Sequence, residues 1–209
     1  HLPFRGNAAH MLNQIVPGAR DVSASSRVPG SKAAPSTGSE RQPAGEQPIA
    51  VDLAAALSSS LFDQALPGEI EDLDPAGRAA IAAFVGQAAA QRAPGTPAIR
   101  LETLPRGGRR LRLAIIGDDM PFLVDSTAAA VTAAGIDIHR LLHPILAVDR
   151  DADGRLIGVD GGGARESLIY MEIEQVGTKA RADLLDSLAD VLADVRAAVA
   201  DWPAMLSLL

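Results

Sequence analysis

The chain has no cysteine, which excludes disulfides, thiolate metal ligation and a cysteine nucleophile. Aromatic residues are scarce: one Trp, one Tyr and four Phe in 209 positions. Hydrophobic residues still reach 47%, much of it alanine, so the chain is not globally disordered. Its core must be made of small and branched aliphatics, with helices able to lie close to a sheet. Basic residues are not in excess, and the net charge is −7. That balance argues against nucleic-acid binding, which needs a basic face to neutralise phosphates. It also argues against adsorption to anionic lipid. No apolar run is long enough to span a bilayer, and the start lacks the basic and apolar regions of a signal peptide. A cytoplasmic location is the default expectation. No Gly-x-Gly-x-x-Gly follows a strand-like run, so the dinucleotide-binding fingerprint is missing. Gly161-Gly162-Gly163 has the wrong spacing for a phosphate cradle and reads as a loop.

What is present falls into three parts. Residues 1–50 are rich in Ser, Pro, Gly and Ala and read as a disordered tail or linker, because they bury too little apolar surface to offset backbone entropy. The first residues, ending His10-Met11, carry features of a cloning remnant. Residues 51–95 read as a helical hairpin. In its first helix Asp52 is the expected N-cap, Leu53, Leu57 and Leu61 recur every four residues, and Pro67-Gly68 is the expected stop. Asp74-Pro75 opens the second helix as cap and first residue, Ile81, Phe84, Val85 and Ala88 form its apolar face, and Pro94-Gly95 closes it. The hairpin needs a partner surface: its own halves, the rest of the chain, or a neighbour.

Residues 96–209 form the third part. Ala98 to Leu104 is a candidate short strand. Leu111, Leu113 and Ile115 alternate with Arg110, Arg112 and Ala114, as in a strand buried on one face. Ile136 to Arg150 reads as one long strand, with Pro144 placing it at an edge or a bulge. Asp151-Ala152-Asp153-Gly154 is a hairpin turn, and Glu166 to Gln175 is the next strand. Thr178 to Val199 is the strongest helix, with Leu184, Leu188, Leu192 and Val195 on one side. Asp201-Trp202-Pro203 is expected to interrupt it. The end at Ser207-Leu208-Leu209, still apolar, reads as a truncation. Two βα units around a hairpin predict an α+β fold, an antiparallel sheet with both helices on one face.

The organising stretch is Gly117 to Ser126, a strand-to-helix corner. Asp118 or Asp119 is placed to cap the helix that follows, and Pro121 suits its first turn. The positive end of the helix faces the same corner and would tolerate a ligand carboxylate. Elsewhere the residues suggest structure rather than chemistry. On a strand, His139 and His143 lie roughly 13 Å apart, too far to share an ion. Glu172 and Glu174 share a strand face with Tyr170, read as a solvent face or a subunit contact. Asp183, Asp186, Asp190 and Asp194 line a solvated helix side.

Asp119-Met120-Pro121-Phe122-Leu123-Val124-Asp125-Ser126 resembles the Asp-Arg-Pro-Gly-Leu-Leu-Ala-Asp pattern of ACT domains, whose ferredoxin-like order is βαββαβ. A tighter resemblance is to the N-terminal region of the large bacterial NAD-specific glutamate dehydrogenases. It is carried by Asp118 to Ser126, Ile138 to Pro144, Asp151 to Leu156, Glu166 to Ile173, and Val191 to Met205, with Val195-Arg196 and Asp201-Trp202-Pro203-Ala204-Met205. The resemblance covers about residues 52 to 209. It implies an ACT-type βαββα(β) fold in a non-catalytic, regulatory or oligomerisation segment. The parent would be a longer, homo-oligomeric cytoplasmic enzyme that oxidises L-glutamate with NAD. On that reading the segment has no catalytic residues, metal or cofactor of its own, and NAD belongs to the distant catalytic part. Its partners would be the rest of the polypeptide and other subunits.

The resemblance also implies a second reading, an amino-acid sensor using Asp118, Asp119, Met120, Phe122 and Asp125. Against it, Phe122 stands where amino-acid-binding ACT domains carry glycine, and its ring is expected to fill the ligand's space. A third reading, a metal-dependent enzyme using His139 and His143, rests on those two residues alone.

Overall fold

A computed structural model of the chain describes residues 51–105 and 108–206. Among them are five helices and six strands. The helices are α1 Val51–Asp63, α2 Pro67–Ile70, α3 Pro75–Ala89, α4 Leu123–Ala133 and α5 Thr178–Leu206. The strands are β1 Ala98–Thr103, β2 Arg110–Asp118, β3 Ile138–Leu142, β4 Ile145–Arg150, β5 Leu156–Val159 and β6 Ala164–Glu174. The tail expected at 1–50 lies outside the described residues, as does the end at 207–209.

All the strands are antiparallel in one sheet of order β1-β2-β6-β4-β5, with β3 also paired to β6. The β2–α4–(β3, β4)–β6–α5 order is the ferredoxin-like arrangement, and its antiparallel α+β character matches the sequence reading. In that arrangement a final strand returns beside β2. Here β1, which precedes β2, occupies the place, running antiparallel from Ala98 opposite Ile116 to Thr103 opposite Leu111.

The sheet has a helical layer on each face. Leu111, Leu113, Ile115, Ile169, Met171 and Ile173 pack against α4 and α5 through Leu123, Val131, Leu184, Leu188 and Leu192. Ala114, Ile116, Leu168 and Tyr170 pack on the opposite face against α1 and α3, through Leu57, Leu61, Ile81, Phe84 and Val85. Each fully buried aliphatic of this kind contributes about 1.5–3 kcal/mol of transfer free energy. The hairpin's partner surface is therefore the second face of the sheet. The expectation that β2 is buried on one face is corrected: Ala114 and Ile116 are as buried as Leu113. Small Ala114 reads as neutral in a pattern of arginines, which hid the second contact.

Local details follow from backbone chemistry. Asp74 caps α3, its Oδ1 accepting from the Gly77 N–H at 2.6 Å, as expected. Pro67-Gly68 does not end α1, which stops at Asp63; it opens the short α2. Asp52 lies within α1 rather than at its cap. The long strand expected at 136–150 is divided by His143-Pro144, because proline has no N–H to give the ladder. Both halves pair with β6, and the Pro144 carbonyl accepts from the Leu168 N–H at 3.0 Å. The turn at 151–154 is present, with Asp151 Oδ1 accepting from the N–H groups of Asp153 and Arg155 at 2.9 Å. The interruption expected at Asp201-Trp202-Pro203 is absent: α5 runs on to Leu206. One proline removes a single hydrogen bond, and the helix carries on.

Candidate functional site

The β2–α4 corner is built differently from the expectation. Asp118 and Asp119 do not cap α4. The N-cap is Phe122, with φ 70°, and no side chain caps the helix. Pro121 precedes the helix instead of forming its first turn. Asp118, the last residue of β2, is drawn toward arginines: Arg92 Nη2 donates to it at 2.8 Å and Arg196 Nη1 at 3.3 Å. Asp119 accepts from Arg165 Nε at 3.1 Å, and its backbone N–H donates to the Arg165 carbonyl. Met120 is half-buried against the α4–α5 core. Asp125 lies exposed in the first turn of α4.

The Phe122 ring does not fill the corner, contrary to expectation; it is 65% exposed. Its backbone holds the left-handed conformation that a glycine would take most cheaply. The space behind the corner is a cavity of only about 10 Å³, bordered by Ile115, Met120, Leu123, Ser167 and Leu192. That is room for about one water. The five candidate residues lie close together in sequence, but their side chains face different surroundings: Asp118 and Asp119 different arginines, Met120 the α4–α5 core, and Phe122 and Asp125 solvent.

The residues that do converge lie on the α1–α3 face of the sheet. In the β2–β6 ladder Arg110, Arg112, Ala114, Ile116 and Asp118 stand opposite Glu174, Glu172, Tyr170, Leu168 and Glu166. The middle of this face is apolar and each end is charged.

At one end Asp118 and Glu166 face each other, a like-charge pair that would destabilise the ladder alone. Arg92, just beyond α3, lies between them. It donates to Glu166 Oε1 from Nε at 3.1 Å and from Nη2 at 2.5 Å, and to the Thr96 carbonyl at 3.2 Å. Arg150 completes the group with two 2.7 Å bonds to Glu166 and bonds to the carbonyls of Ala89 and Gly154. Glu166 is 1% exposed. Burial alone would raise its carboxyl, but Arg150 and Arg92 outweigh that and hold it below the ordinary range.

At the other end Glu172, 5% exposed, lies between β2 and β3. It accepts from Arg140 Nε at 3.2 Å, Arg110 Nη1 at 3.3 Å and the Tyr170 hydroxyl at 3.2 Å. Burial, then the Glu172 carboxylate, push the Tyr170 hydroxyl above its usual range. Arg140 reaches onward to Asp72 and to the Glu69 carbonyl. Arg112 lies over the Phe84 ring, 4.2 Å from its centroid, and Phe84 meets Tyr170 edge-on. The helix α3 is thus pinned to the sheet by arginine–carboxylate groups before its start and after its end.

The reading of Glu172 as a solvent or subunit face is corrected; of the two acids, only Glu174 is exposed. Sequence reasoning missed Arg92, Arg140, Arg150 and Glu166. A signal existed: Glu166 and Glu172 fall in period with Leu168 and Tyr170, so a layer covering those two also covers both acids. Covered carboxylates need cations.

The histidines separate. His139 is exposed on β3, whereas His143 is half-buried between β3 and β4, its Nε2 2.8 Å from Ser167 Oγ. Burial lowers the His143 pKa, opposed by the Asp119 charge.

Comparison with known proteins gives a consistent answer. The family model described as glutamate dehydrogenase, ACT1 domain, matches residues 57–188. The NAD-specific glutamate dehydrogenase of Halomonas elongata is 38% identical over 100 residues, 44% of this chain and 6% of that protein. The NAD-specific glutamate dehydrogenase of Pseudomonas aeruginosa is 34% identical over 98 residues, again 44% of this chain and 6% of the relative. The matched stretch is therefore a small part of those enzymes. The family match at residues 57–188 runs across both helical layers and the sheet, and on it the chain belongs to the glutamate dehydrogenase ACT1-domain family.

Proposed function

We propose that this chain is a non-catalytic segment of a NAD-dependent glutamate dehydrogenase, serving regulation and subunit assembly. The parent reaction converts L-glutamate, NAD and water to 2-oxoglutarate, ammonium and NADH. NAD binding and chemistry belong to the remainder of the polypeptide. The segment's partners are that remainder and other copies of the enzyme, in the cytoplasm. No helix among the described residues is long and apolar enough to cross a membrane.

The observation that carries the reading is the state of the buried acids. Glu166 and Glu172 are each held by two arginines, and Glu172 by a tyrosine as well. Carboxylates so neutralised stabilise a scaffold; a general acid or base needs an open partner position and a pKa near the working pH. The corner cavity of about 10 Å³ likewise favours assembly over amino-acid sensing at that place.

The test has two arms. The purified 209-residue chain, assayed for NADH formation with L-glutamate and NAD, is expected to give no turnover. Removing residues 51–209 from the full-length enzyme is expected to change its oligomeric mass or its response to effectors, read by light scattering and by kinetics. Turnover by the chain, or an unchanged assembly and response after deletion, overturns the proposal.

A further inference from the structure

The two edges of the sheet differ. At one, β5 is four residues long, and the chain leaving α3 runs along its start: the Leu156 N–H donates to the Ala90 carbonyl at 3.0 Å and the Arg92 N–H to the Gly154 carbonyl at 2.9 Å. At the other edge β1 pairs with β2 alone among the described residues, in a register without a bulge. The Leu104 N–H donates to the Arg110 carbonyl at 3.0 Å. Antiparallel alternation therefore turns the backbone groups of Arg100 and Glu102 toward β2, and those of Ile99, Leu101 and Thr103 outward. An outward row of N–H and C=O groups is a template for another strand. Pro97 and Pro105 bound the row at its two ends. The side chains alternate as well. Ile99 and Leu101 are half-buried against the α4–α5 core. Arg100 and Glu102 lie on the α1–α3 face, where Arg100 Nε donates to Glu102 at 2.7 Å and Arg112 Nη2 donates to Glu102 at 2.9 Å.

We propose that β1 pairs antiparallel with β1 of a second copy of this chain, about a two-fold axis through Leu101, joining two sheets into one. The charges select that register. Centred on Arg100, the strands would set arginine against arginine; centred on Glu102, acid against acid; both destabilise. Centred on Ile99 or Thr103, they would leave Arg100 opposite Ala98 or Glu102 opposite Leu104. Centred on Leu101, Arg100 of each copy stands opposite Glu102 of the other. Ile99 of one copy then exchanges backbone bonds with Thr103 of the other, and Leu101 with its own counterpart. The two Leu101 side chains meet on the α4–α5 face and extend its apolar layer. The same two charges disfavour strands that lack the complementary order, so the edge is selective for its own sequence. This pairing rests on the assembly role proposed above and gives it a surface.

The experiment is sedimentation equilibrium of the 209-residue chain over a concentration series. A reversible monomer–dimer equilibrium is expected, with a dissociation constant on the order of 10–100 μM, as suits a short edge join. Arg100→Glu sets acid against acid twice in the dimer and is expected to weaken it at least about five-fold. The chain has no cysteine, so Leu101→Cys supplies one thiol per copy. The pairing sets these two thiols opposite each other with Cα atoms about 5.5 Å apart, within disulfide reach. Mild oxidation is expected to give a covalent dimer, whereas Asp125→Cys, exposed on α4, is expected to give none. A chain that stays monomeric at about 1 mM overturns the proposal. So does a dimer that Leu101→Cys fails to cross-link, or a folded Arg100→Glu variant that dimerises as tightly as the parent. If circular dichroism shows Arg100→Glu to be unfolded, the cross-link decides. A monomeric chain removes this pairing alone; the oligomeric mass of the full-length enzyme lacking residues 51–209 judges the assembly role separately.

Discussion

Phe122 carries the conformation of a glycine and the side chain of an aromatic. A non-glycine residue at φ 70° costs on the order of 1 kcal/mol, and an exposed ring returns little packing. Phe122→Gly is therefore expected to leave the melting temperature unchanged or to raise stability by up to about 1 kcal/mol. Phe122→Val, branched at Cβ, is expected to lower it by at least about 1 kcal/mol, because β-branching suits that region worst. Thermal unfolding of the three proteins checks both. His143 gives a second prediction. Its folded pKa lies below the unfolded value of about 6.5, so in that window the unfolded chain binds more protons. Stability is expected to fall as pH drops from about 6.5 toward the folded pKa. Denaturant titrations from pH 7.5 to 5 should show that slope in the parent and a flatter one in His143→Gln. Glycine is required at another residue, Gly154: φ is 78°, and an added Cβ would strike the Arg92 carbonyl, which any side chain there would displace.

Among elements, α3 is the informative one. Its apolar stripe and Asp74 cap were legible, because helix periodicity and capping are local. Its clamps were not, because they join residues far apart in sequence: Arg92 with Glu166, Arg140 with Asp72. The same contrast holds at the corner. The Gly-Asp-Asp-Met-Pro run announced a strand-to-helix turn, and one is there. Which acid would cap the helix was not readable, since distant Arg92 and Arg165 outbid the nearby N–H groups for Asp118 and Asp119. Breaking a clamp gives a sharp prediction. Arg92→Met leaves Asp118 and Glu166 opposed with one cation fewer, and is expected to cost about 3–5 kcal/mol of stability. Amide exchange should then rise in α3 and the β4–β5 turn before it rises in α4 and α5. An exchange increase of equal size in α4 and α5 would show that Arg92 does not act on α3.

For the whole molecule, the Glu166 clamp contributes to the response to acid. Glu166 has a folded pKa below its unfolded value, so its contribution is present above about pH 4.3 and is lost as pH falls through the lowered folded value. Unfolding monitored from pH 7 to pH 3 should show a steep acid limb that flattens in Glu166→Gln. The sheet also has a consequence for the order in which the chain acquires structure. Its edge beside β2 is filled by β1, and only residues 104–109 separate the two. A strand returning from beyond α5 would have to close a loop of about ninety residues; this hairpin closes one of six, and short loops close far more readily. As the polypeptide emerges from the ribosome, the ribbon of β1 and β2 is complete long before β6 exists to dock on it. Nascent-chain force or cleavage measurements would then find protected backbone in residues 98–118 while the second half of the sheet is still unmade.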